Sequence, residues 1–513
     1  MILFTGYMNG DMGNYIQEAH NFVEGHYSVK EIIRNKTLEE LTPNGNFNWQ
    51  NLRLGLIIPV GLSMHLFGVS DFSYAIFMFG CFTLSYSMVY LLGKELISES
   101  FGILSALIFS FIPLEINLST MLVPHIPAAS FMALTCFLLL KGSRVEGRMS
   151  ALFIFLAGMS LSIAYLVWEV SLLLMPVVLM YLVITEGFTK VFFARKFWIS
   201  SLLFTAAFIP LFIAQIIYFY NISGIFFFQQ RFISVLGPKW LELHPTDLAN
   251  LRWDRYPKSM FYSYYFGIFY YFVFGGLLTV LLQYLFNQPA RKKITSSMLL
   301  PVIWFSWLGI YLQFGTSSLS HYQPIFKLSH YLSILSIPAS LIGAYFIYSF
   351  PREELPKNVK LKRLSAFNIR PGLISLYLVS SVLCSISNFM GNGSFHRDMT
   401  FEHRIKETVD ALPLGNPIYT DIWTKHGLDF VYGYKRPIVA FNSIGNSDYL
   451  RPAELSEMKS GYIIINWVYL SSGHTMKTYV PEFIYNPPRG WKLQARVFGT
   501  AKSRSIDIYR ILE

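Results

Sequence analysis

Ten apolar stretches, each close to the length that crosses a lipid bilayer, constrain the fold of this chain more than any other feature of its sequence. A helix needs about 20 residues to cross the hydrocarbon core. The stretches cover residues 71–92, 101–117, 118–140, 151–166, 168–186, 197–220, 261–286, 298–315, 328–349 and 371–390. Residues 151–183 could also form one hairpin instead of two clean spans. Because 53% of the residues are hydrophobic and only 14% are charged, the sequence predicts a polytopic helical membrane protein.

Basic residues in short loops set the orientation of these spans. The basic loops are 141–150, 187–196, 287–297 and 350–370. Cytoplasmic loops carry an excess of lysine and arginine, so the alternate loops, including 221–260 and 315–327, and both termini are predicted to be extracytoplasmic. The net charge of +11 is explained by this distribution. Nucleic-acid binding is not expected, since no basic stripe lies on a soluble face.

Residues 52–69 are apolar but are predicted not to cross the membrane. This segment contains Pro59, His65 and three glycines, which favour a helix lying along the outer interface. If it crossed, every later loop would change sides and the basic loops would lie outside.

From about residue 391 the sequence becomes polar. A helix is predicted from His396 to Leu412, followed by short apolar runs between Pro, Gly and Asn that are typical of strands. These runs are 417–419, 430–432, 462–465 and 506–509. The predicted domains are therefore a transmembrane domain over 1–390, with outer loops 1–70 and 221–260, and a small soluble α/β domain over 391–513 on the extracytoplasmic side.

Asp11 is the first candidate for chemistry, because it lies at the predicted outer surface ahead of the first span. Its carboxylate could act as a base or bind a divalent cation. The alternative is that it caps a helix beginning near Met12. Tyr15 lies one turn further along the same helix, whereas Glu18 and His20 are expected at the solvated surface.

Charged residues at membrane depth are costly and usually functional. Glu115 and Glu169 lie near the predicted outer ends of their spans. Lys327 follows an uncharged outer loop and is placed to hold a phosphate group. Snorkelling to lipid headgroups is the alternative role for Lys327.

The outer loop 221–260 combines arginines with aromatic residues. Arg231 precedes Phe232, and Arg255 follows Trp253 and precedes Tyr256. Guanidinium groups suit a phosphate and ring faces suit a sugar, so this loop could bind a phosphosugar. Anchoring at the membrane interface is the alternative.

Taken in order, these features resemble the GT-C superfamily of polyprenyl-phosphate-sugar-dependent glycosyltransferases, which includes protein O-mannosyltransferases and lipid A aminoarabinose transferases. The resemblance covers roughly residues 10–350. Four motifs carry it: Asp11…Tyr15…Ala19, Leu66-Phe67-Gly68, Gln230-Arg231-Phe232 and Lys327-Leu328-Ser329-His330-Tyr331. The second motif ends a juxtamembrane helix in the family, which agrees with the prediction that 52–69 does not cross.

The resemblance implies an enzyme that moves a monosaccharide from a polyprenyl-phosphate donor to a glycan, lipid or protein of the cell envelope. It implies that Asp11 is the catalytic base or an orienting carboxylate that activates the acceptor, and that Lys327 and Arg231 hold the donor phosphate. Further candidates for substrate or metal contacts are Tyr15, Glu115, His125, Glu169, Arg255 and Tyr331.

Two departures from the family pattern matter. Family members have a span before the acidic loop, whereas ten residues precede Asp11 here, so either the start is truncated or that helix is absent. Many members also carry an Asp in the fourth-span region, where this chain has residues 122–127. His125 could replace it as a metal ligand or an acid/base, or it could be an interfacial histidine with no role. A divalent cation, Mg or Mn, is therefore left open. The alternative functions are a transporter or flippase of a lipid-linked sugar and an inactive scaffold.

Overall fold

The computed structural model divides into two compact units. The first comprises Met1–Phe77, Phe219–Thr246 and Gly393–Glu513, and the second comprises Met78–Tyr218 and Asp247–Asn392. The residues that the structure describes are 11–25, 52–119, 121–229, 231–232, 235, 251–286, 298–316, 322, 324–325, 327–349, 369–391, 400–411, 417–441, 456, 458, 460–467, 482–498 and 505–511.

Helices dominate the chain up to residue 391. In chain order they are α1 Asp11–Val23, α2 Leu54–Phe67, α3 Asp71–Leu96, α4 Glu99–Ser110, α5 Pro113–Leu118, α6 His125–Arg144, α7 Gly147–Val167, α8 Leu174–Glu186, α9 Phe188–Phe193, α10 Arg195–Ser223, α11 Arg255–Tyr262, α12 Phe269–Phe286, α13 Leu299–Phe314, α14 Ser336–Ser349 and α15 Ile369–Gly391. Two 3-10 turns, Glu169–Leu173 and Ser329–Leu335, lead directly into α8 and α14.

Eight helical segments among the described residues are long and apolar enough to cross a membrane. They are α3, α6, α7, Glu169–Glu186, α10, α12, Ser329–Ser349 and the part of α15 that ends at Ser387. The predicted polytopic helical fold is confirmed. Two predicted spans are shorter in the structure, because 101–117 divides into α4 and α5 at Pro113 and 298–315 forms the 16 residues of α13.

The membrane helices of the second unit approach one another at small residues. A side chain on Gly158 of α7 would meet the Phe204 carbonyl oxygen of α10 at 2.2 Å, and one on Gly276 of α12 would meet the Ile342 carbonyl oxygen of α14 at 2.1 Å. Without a hydrophobic drive in lipid, helices associate through such close packing. These crossings fix the scaffold that carries the site in this unit.

In the first unit, α1 packs against α2. The two backbones meet where a side chain on Gly61 would lie 2.8 Å from the Ala19 carbonyl oxygen. Helix α2 has 14 residues and is therefore about 21 Å long, shorter than the hydrocarbon core of about 30 Å. This length agrees with a segment that does not cross.

The C-terminal part of the first unit is a small α/β structure. Its elements are α16 Thr400–Asp410, β1 Ile418–Thr420, α17 Ile422–Val431, β2 Ile438–Ala440, β3 Gly461–Asn466, α18 Glu482–Tyr485, β4 Lys492–Phe498 and β5 Ser505–Ile511. The strand order is β2-β1-β3-β5-β4, parallel on the β2-β1-β3 side and antiparallel on the other. Strand β3 is buried at every position, with Ile463 and Ile465 in one apolar cluster and Tyr462 and Ile464 in the other.

In this region one predicted strand is part of a helix in the structure, and two observed strands were not predicted. Residues 430–432 were predicted as a strand but lie at the end of α17. The helix forms because the Asp421 side chain accepts a hydrogen bond from the Thr424 amide at 2.9 Å, which satisfies a free amide of the first turn. Strands β2 and β4 were not predicted.

Candidate active site

Helix α1 carries the first two predicted site residues. Asp11 is its first residue, and the Asp11 carboxyl group lies outside the described part of the structure. Tyr15 is fully buried. The Arg53 guanidinium, at the start of α2, donates a hydrogen bond to the Tyr15 hydroxyl and lies 5.8 Å from the centre of the Tyr15 ring. Tyr15 is thus a residue that joins α1 to α2, and Arg53 was not predicted.

The expectation for Glu18 was wrong. Its side chain is only 7% exposed, because this face of α1 packs against α2 and α17. The neighbouring His20 is partly buried, and its ring stacks on that of Tyr434 with centroids 4.0 Å apart. The sequence signal for this burial was the apolar face of α1, which also carries Ile16 and Ala19.

Arg231 lies on the first unit as well. Its amide donates to the Phe227 carbonyl oxygen at 3.1 Å, and its side chain is exposed beside the buried rings of Phe228 and Phe232. Gln230, the first residue of the predicted motif, lies outside the described residues.

In the second unit, Lys327 is a buried cation. Its side chain is 3% exposed, and its Nζ donates to the Leu251 carbonyl oxygen at 3.0 Å. Burial lowers the pKa of Lys327 from its ordinary value. An ammonium group has three donors, and this is the one hydrogen bond that it makes within the described residues. No carboxylate of the described residues forms an ion pair with it.

The 3-10 turn after Lys327 meets His125, the first residue of α6. The buried ring of His125 lies 4.9 Å from that of His330 and 5.1 Å from that of Tyr331, between centroids. Trp168 packs edge-on against His125 at 4.7 Å and lies 5.5 Å from Tyr331. His125, Trp168, His330 and Tyr331 are called the aromatic cluster below. Of its members, the sequence predicted His125 and Tyr331 and missed the other two.

Glu115 contacts Ser336, the residue that directly follows this 3-10 turn. Its carboxylate is 1% exposed and accepts a hydrogen bond from the Ser336 hydroxyl at 2.6 Å. Ser333, one turn earlier, and Tyr270 of α12 lie beside the same carboxyl group. Glu115 therefore joins α5 to the turn that carries Tyr331.

Arg255 and Glu169 lie on segments attached to this region. Arg255 is the exposed first residue of α11, and Ser259 of the same helix hydrogen-bonds Ser329 at 2.9 Å. Glu169 is partly buried and begins the turn directly after Trp168.

Six predicted site residues of the second unit thus lie on the segment 327–336 or on the helices and turns around it. They are Glu115, His125, Glu169, Arg255, Lys327 and Tyr331. Charge, hydroxyl and ring contacts converge on residues 327–336, which suits recognition of a phosphate beside a sugar. Within the described residues, no group of three or more His, Cys, Asp or Glu side chains could hold a metal ion, and a role for a divalent cation stays a prediction.

Comparisons with known proteins agree with this architecture. The sequence model of the family described as dolichyl-phosphate-mannose-protein mannosyltransferase matches residues 59–213. No curated protein matches the chain significantly in sequence.

Solved structures match over nearly the whole chain. ArnT from Cupriavidus metallidurans bound to undecaprenyl phosphate has 12% sequence identity and a TM-score of 0.57, covering 99% of this chain and 95% of that chain. Its apo state has 10% identity and a TM-score of 0.58, with the same coverage. The Archaeoglobus fulgidus oligosaccharyltransferase, in complex with Zn and sulfate, has 12% identity and a TM-score of 0.54, covering 97% of this chain and 69% of that chain.

The family match and the shared fold confirm the resemblance predicted from the sequence. The chain is an integral membrane protein with the GT-C fold, and it is an enzyme of the glycosyltransferase class. Nothing in these comparisons favours a transporter or flippase.

Proposed function

We propose that this enzyme transfers one monosaccharide from a polyprenyl-phosphate donor to a glycan, lipid or protein acceptor at the extracytoplasmic face of the membrane. The observation that carries the proposal is Lys327. It is a buried cation whose one hydrogen bond within the described residues goes to a carbonyl oxygen. It lies three residues before His330 of the aromatic cluster in the sequence. Such a cation attracts an anionic ligand strongly, because charges interact more strongly where water is excluded.

Known proteins of this fold support the choice of donor. One matched ArnT structure is bound to undecaprenyl phosphate. AglB from Archaeoglobus fulgidus, at a TM-score of 0.50 and 12% identity over 93% of this chain and 68% of that chain, is in complex with an inhibitory peptide and a dolichol-phosphate. Both lipids are isoprenoid phosphates, so the proposed donor carries the same chemical group.

The proposed reaction is an inverting displacement at the anomeric carbon of the sugar. The acceptor oxygen forms a bond to this carbon while the bond to the phosphate oxygen breaks. The acceptor hydroxyl proton passes to Asp11, acting as general base. Polyprenyl phosphate leaves with the electron pair, and Lys327 and Arg231 stabilise its charge.

The aromatic cluster provides sugar-binding surfaces in this proposal. Ring faces of Trp168 and Tyr331 pack against the apolar faces of a sugar. His125, Glu115, Glu169 and Arg255 offer polar groups on the surrounding segments, while Tyr15 acts from the first unit by fixing α1.

Sugar transfer from radiolabelled polyprenyl-phosphate monosaccharides tests the proposal. We expect Lys327→Ala to lower transfer about 100-fold, since a hydrogen bond to a charged group contributes up to about 3 kcal/mol. Asp11→Asn should also abolish transfer. Lys258→Ala is the matched control, because Lys258 is an exposed lysine paired with Asp254 at 2.6 Å, and it should transfer normally.

The outcomes separate the candidate functions. Loss of transfer in both site variants, with normal folding, supports the enzyme and its two groups. Absence of transfer by the wild type over a broad panel of donors and acceptors would instead favour the transporter or the inactive scaffold.

The pH dependence of donor binding gives a second test of Lys327. Because burial lowers the pKa of Lys327 from its ordinary value of 10.5, the ammonium becomes neutral earlier than a free lysine as the pH rises. A neutral amine attracts phosphate weakly, so the KM for the donor should increase at alkaline pH below 10.5. Lys327→Arg should remove this alkaline increase, because arginine stays charged. An increase that is unchanged in Lys327→Arg would assign it to another group.

A further inference from the structure

Tyr434 has an unusual backbone conformation. It lies in the turn after α17 with a φ of 59°, and it is one of two non-glycine residues with positive φ in the described structure. Its amide donates to the Asp429 carbonyl oxygen at 2.7 Å. The left-handed region costs a residue with a side chain roughly 1–2 kcal/mol. Such strain persists where the surrounding contacts require it, often at functional positions.

The strained conformation directs the Tyr434 side chain onto α1. Its ring stacks on His20 with centroids 4.0 Å apart and ring planes 12° from parallel. Burial, together with the nearby charges of Asp429 and Glu18, raises the pKa of Tyr434 well above its ordinary value. Its phenol therefore remains protonated at neutral pH. One side chain of the α/β domain thus stacks on a residue of α1.

Helix α1 needs such contacts to be ordered. It has 13 residues, and isolated helices of this length are marginal in water. Helix α2 holds it at Tyr15, through Arg53, and at Ala19, through the close approach of Gly61. Tyr434 holds the adjoining face at His20. His20 lies nine residues after Asp11, about 14 Å along the helix.

We propose that Tyr434 is a positioning residue, which fixes helix α1 and thereby the location of Asp11. The C-terminal α/β domain is then a structural part of the active site of this enzyme. The inference rests on the proposed catalytic role of Asp11 and adds a residue that acts through it.

Tyr434→Gly is the sharpest variant, because glycine adopts positive φ without strain. If the ring made no functional contact, relieving the strain would stabilise the protein. If the ring positions α1, removing it loosens α1 in spite of the relief. Tyr434→Ala removes the same ring but keeps the strain. His20→Phe retains a ring for stacking, whereas His20→Ala removes it.

Tyr432→Ala is the matched control on the same domain. The Tyr432 hydroxyl donates to the Lys406 carbonyl oxygen at 3.2 Å, and its ring lies beside Lys406 and Arg436. These contacts lie inside the α/β domain, so the control reports general loosening of that domain.

The first measurement is hydrogen exchange of the α1 amides in the full-length protein in detergent. We expect Tyr434→Gly and His20→Ala to increase their exchange about tenfold, and His20→Phe and Tyr432→Ala to leave it near the wild-type rate. Unchanged α1 exchange in Tyr434→Gly would overturn the proposal. Equal increases in Tyr434→Gly and Tyr432→Ala would overturn it as well.

The second measurement is sugar transfer. We expect Tyr434→Gly to lower kcat about tenfold, with the KM for the donor within about twofold of wild type, because a displaced base affects the chemical step and not donor binding. A normal kcat in a variant with loosened α1 would overturn the positioning role. If the wild type transfers no sugar, the proposed function fails while hydrogen exchange still decides whether Tyr434 fixes α1.

Discussion

The two units of this protein hold their candidate residues by different means. In the first unit, charged groups have charged or polar partners, as in Arg53 with Tyr15, Lys425 with Asp429 and Arg496 with Asp507. In the second unit, the site segment 327–336 is fixed by hydroxyl groups, one of which donates to the Glu115 carboxylate, by aromatic rings and by a carbonyl oxygen.

The comparison shows how the charged side chains of the second unit are paired. Ion pairs of the second unit occur between the ends of helices, as where Lys141 and Arg144 meet Glu95. Lys327, in contrast, has a neutral partner in Leu251. A cation that is buried without a counter-charge is costly, and an incoming phosphate would remove that cost. The proposed role of Lys327 in binding the donor phosphate rests on this difference.

The largest loss of stability is expected from removing the Arg53 guanidinium, which joins α1 to α2 in the first unit. Arg53→Ala should lower the free energy of unfolding by about 3 kcal/mol, because it removes the Arg53 hydrogen bond to the buried Tyr15 hydroxyl and the packing of the Arg53 side chain. Chemical denaturation in detergent measures this. Arg148→Ala changes an exposed arginine and should have little effect. Equal stabilities of the two variants would show that α1 does not depend on this contact.

A smaller loss of stability is expected from removing the Glu115 carboxylate, which accepts a hydrogen bond from the Ser336 hydroxyl in the second unit. Glu115→Leu should cost about 2 kcal/mol, since the buried Ser336 hydroxyl loses its acceptor. Glu115→Gln retains an acceptor oxygen of similar shape and should stay close to wild type in the same denaturation assay. If both variants were equally destabilised, the charge of Glu115 would matter and the contrast between the units would weaken.

The packing of α1 on α2 is tested by Gly61→Ala. The added methyl group would lie 2.8 Å from the Ala19 carbonyl oxygen and 3.0 Å from a Val23 methyl group, so we expect a cost of about 1–2 kcal/mol. Gly80→Ala is the control, because no atom lies within 4 Å of its new methyl group. It should be neutral or slightly stabilising, since alanine favours helix. Matching thermal stabilities would contradict the close approach.

The smallest effect is expected in the pH dependence of the first unit. Burial lowers the pKa of His20, and the nearby Glu24 opposes this shift. A base with a lowered pKa stabilises the fold at high pH and loses that stabilisation as the pH falls below its ordinary value of 6.5. The protection factors of the α1 amides, corrected for the intrinsic pH dependence of exchange, should therefore fall from pH 7 to pH 5 in the wild type. His20→Phe should flatten this dependence, and a slope that persists would assign it to another titratable group.

Most membrane helices could be predicted from the sequence, because a span is defined by its own length and hydrophobicity. Helix α3 illustrates this, since residues 71–92 were predicted and Asp71–Leu96 is observed. Boundaries that depend on proline were less accurate, as at Pro113 and at the start of α6. Strand β4 was missed although Leu493, Ala495 and Val497 alternate along it, which is a pattern typical of strands.

The candidate site could be predicted only in part. Asp11, Arg231 and Lys327 were found by their residue types and their order along the chain, and their roles stay predictions. Trp168, His330 and Ser336 were missed, because their roles depend on contacts with residues that are distant in the sequence. His330 is a case where the sequence held a signal, since it lies inside the Lys327–Tyr331 motif.

The sequence by itself determined that this chain enters a membrane as helices and ends in an α/β domain, because hydrophobic length and alternation are local properties. Only the tertiary structure decided which side chains meet. Glu18 is polar and adjacent to polar residues, yet it is buried because α2 and α17 close over that face of α1. Tyr434 lies 414 residues from His20 along the chain, and no local pattern predicts their stacking. Such contacts arise when separate segments pack, and they depend on the whole fold.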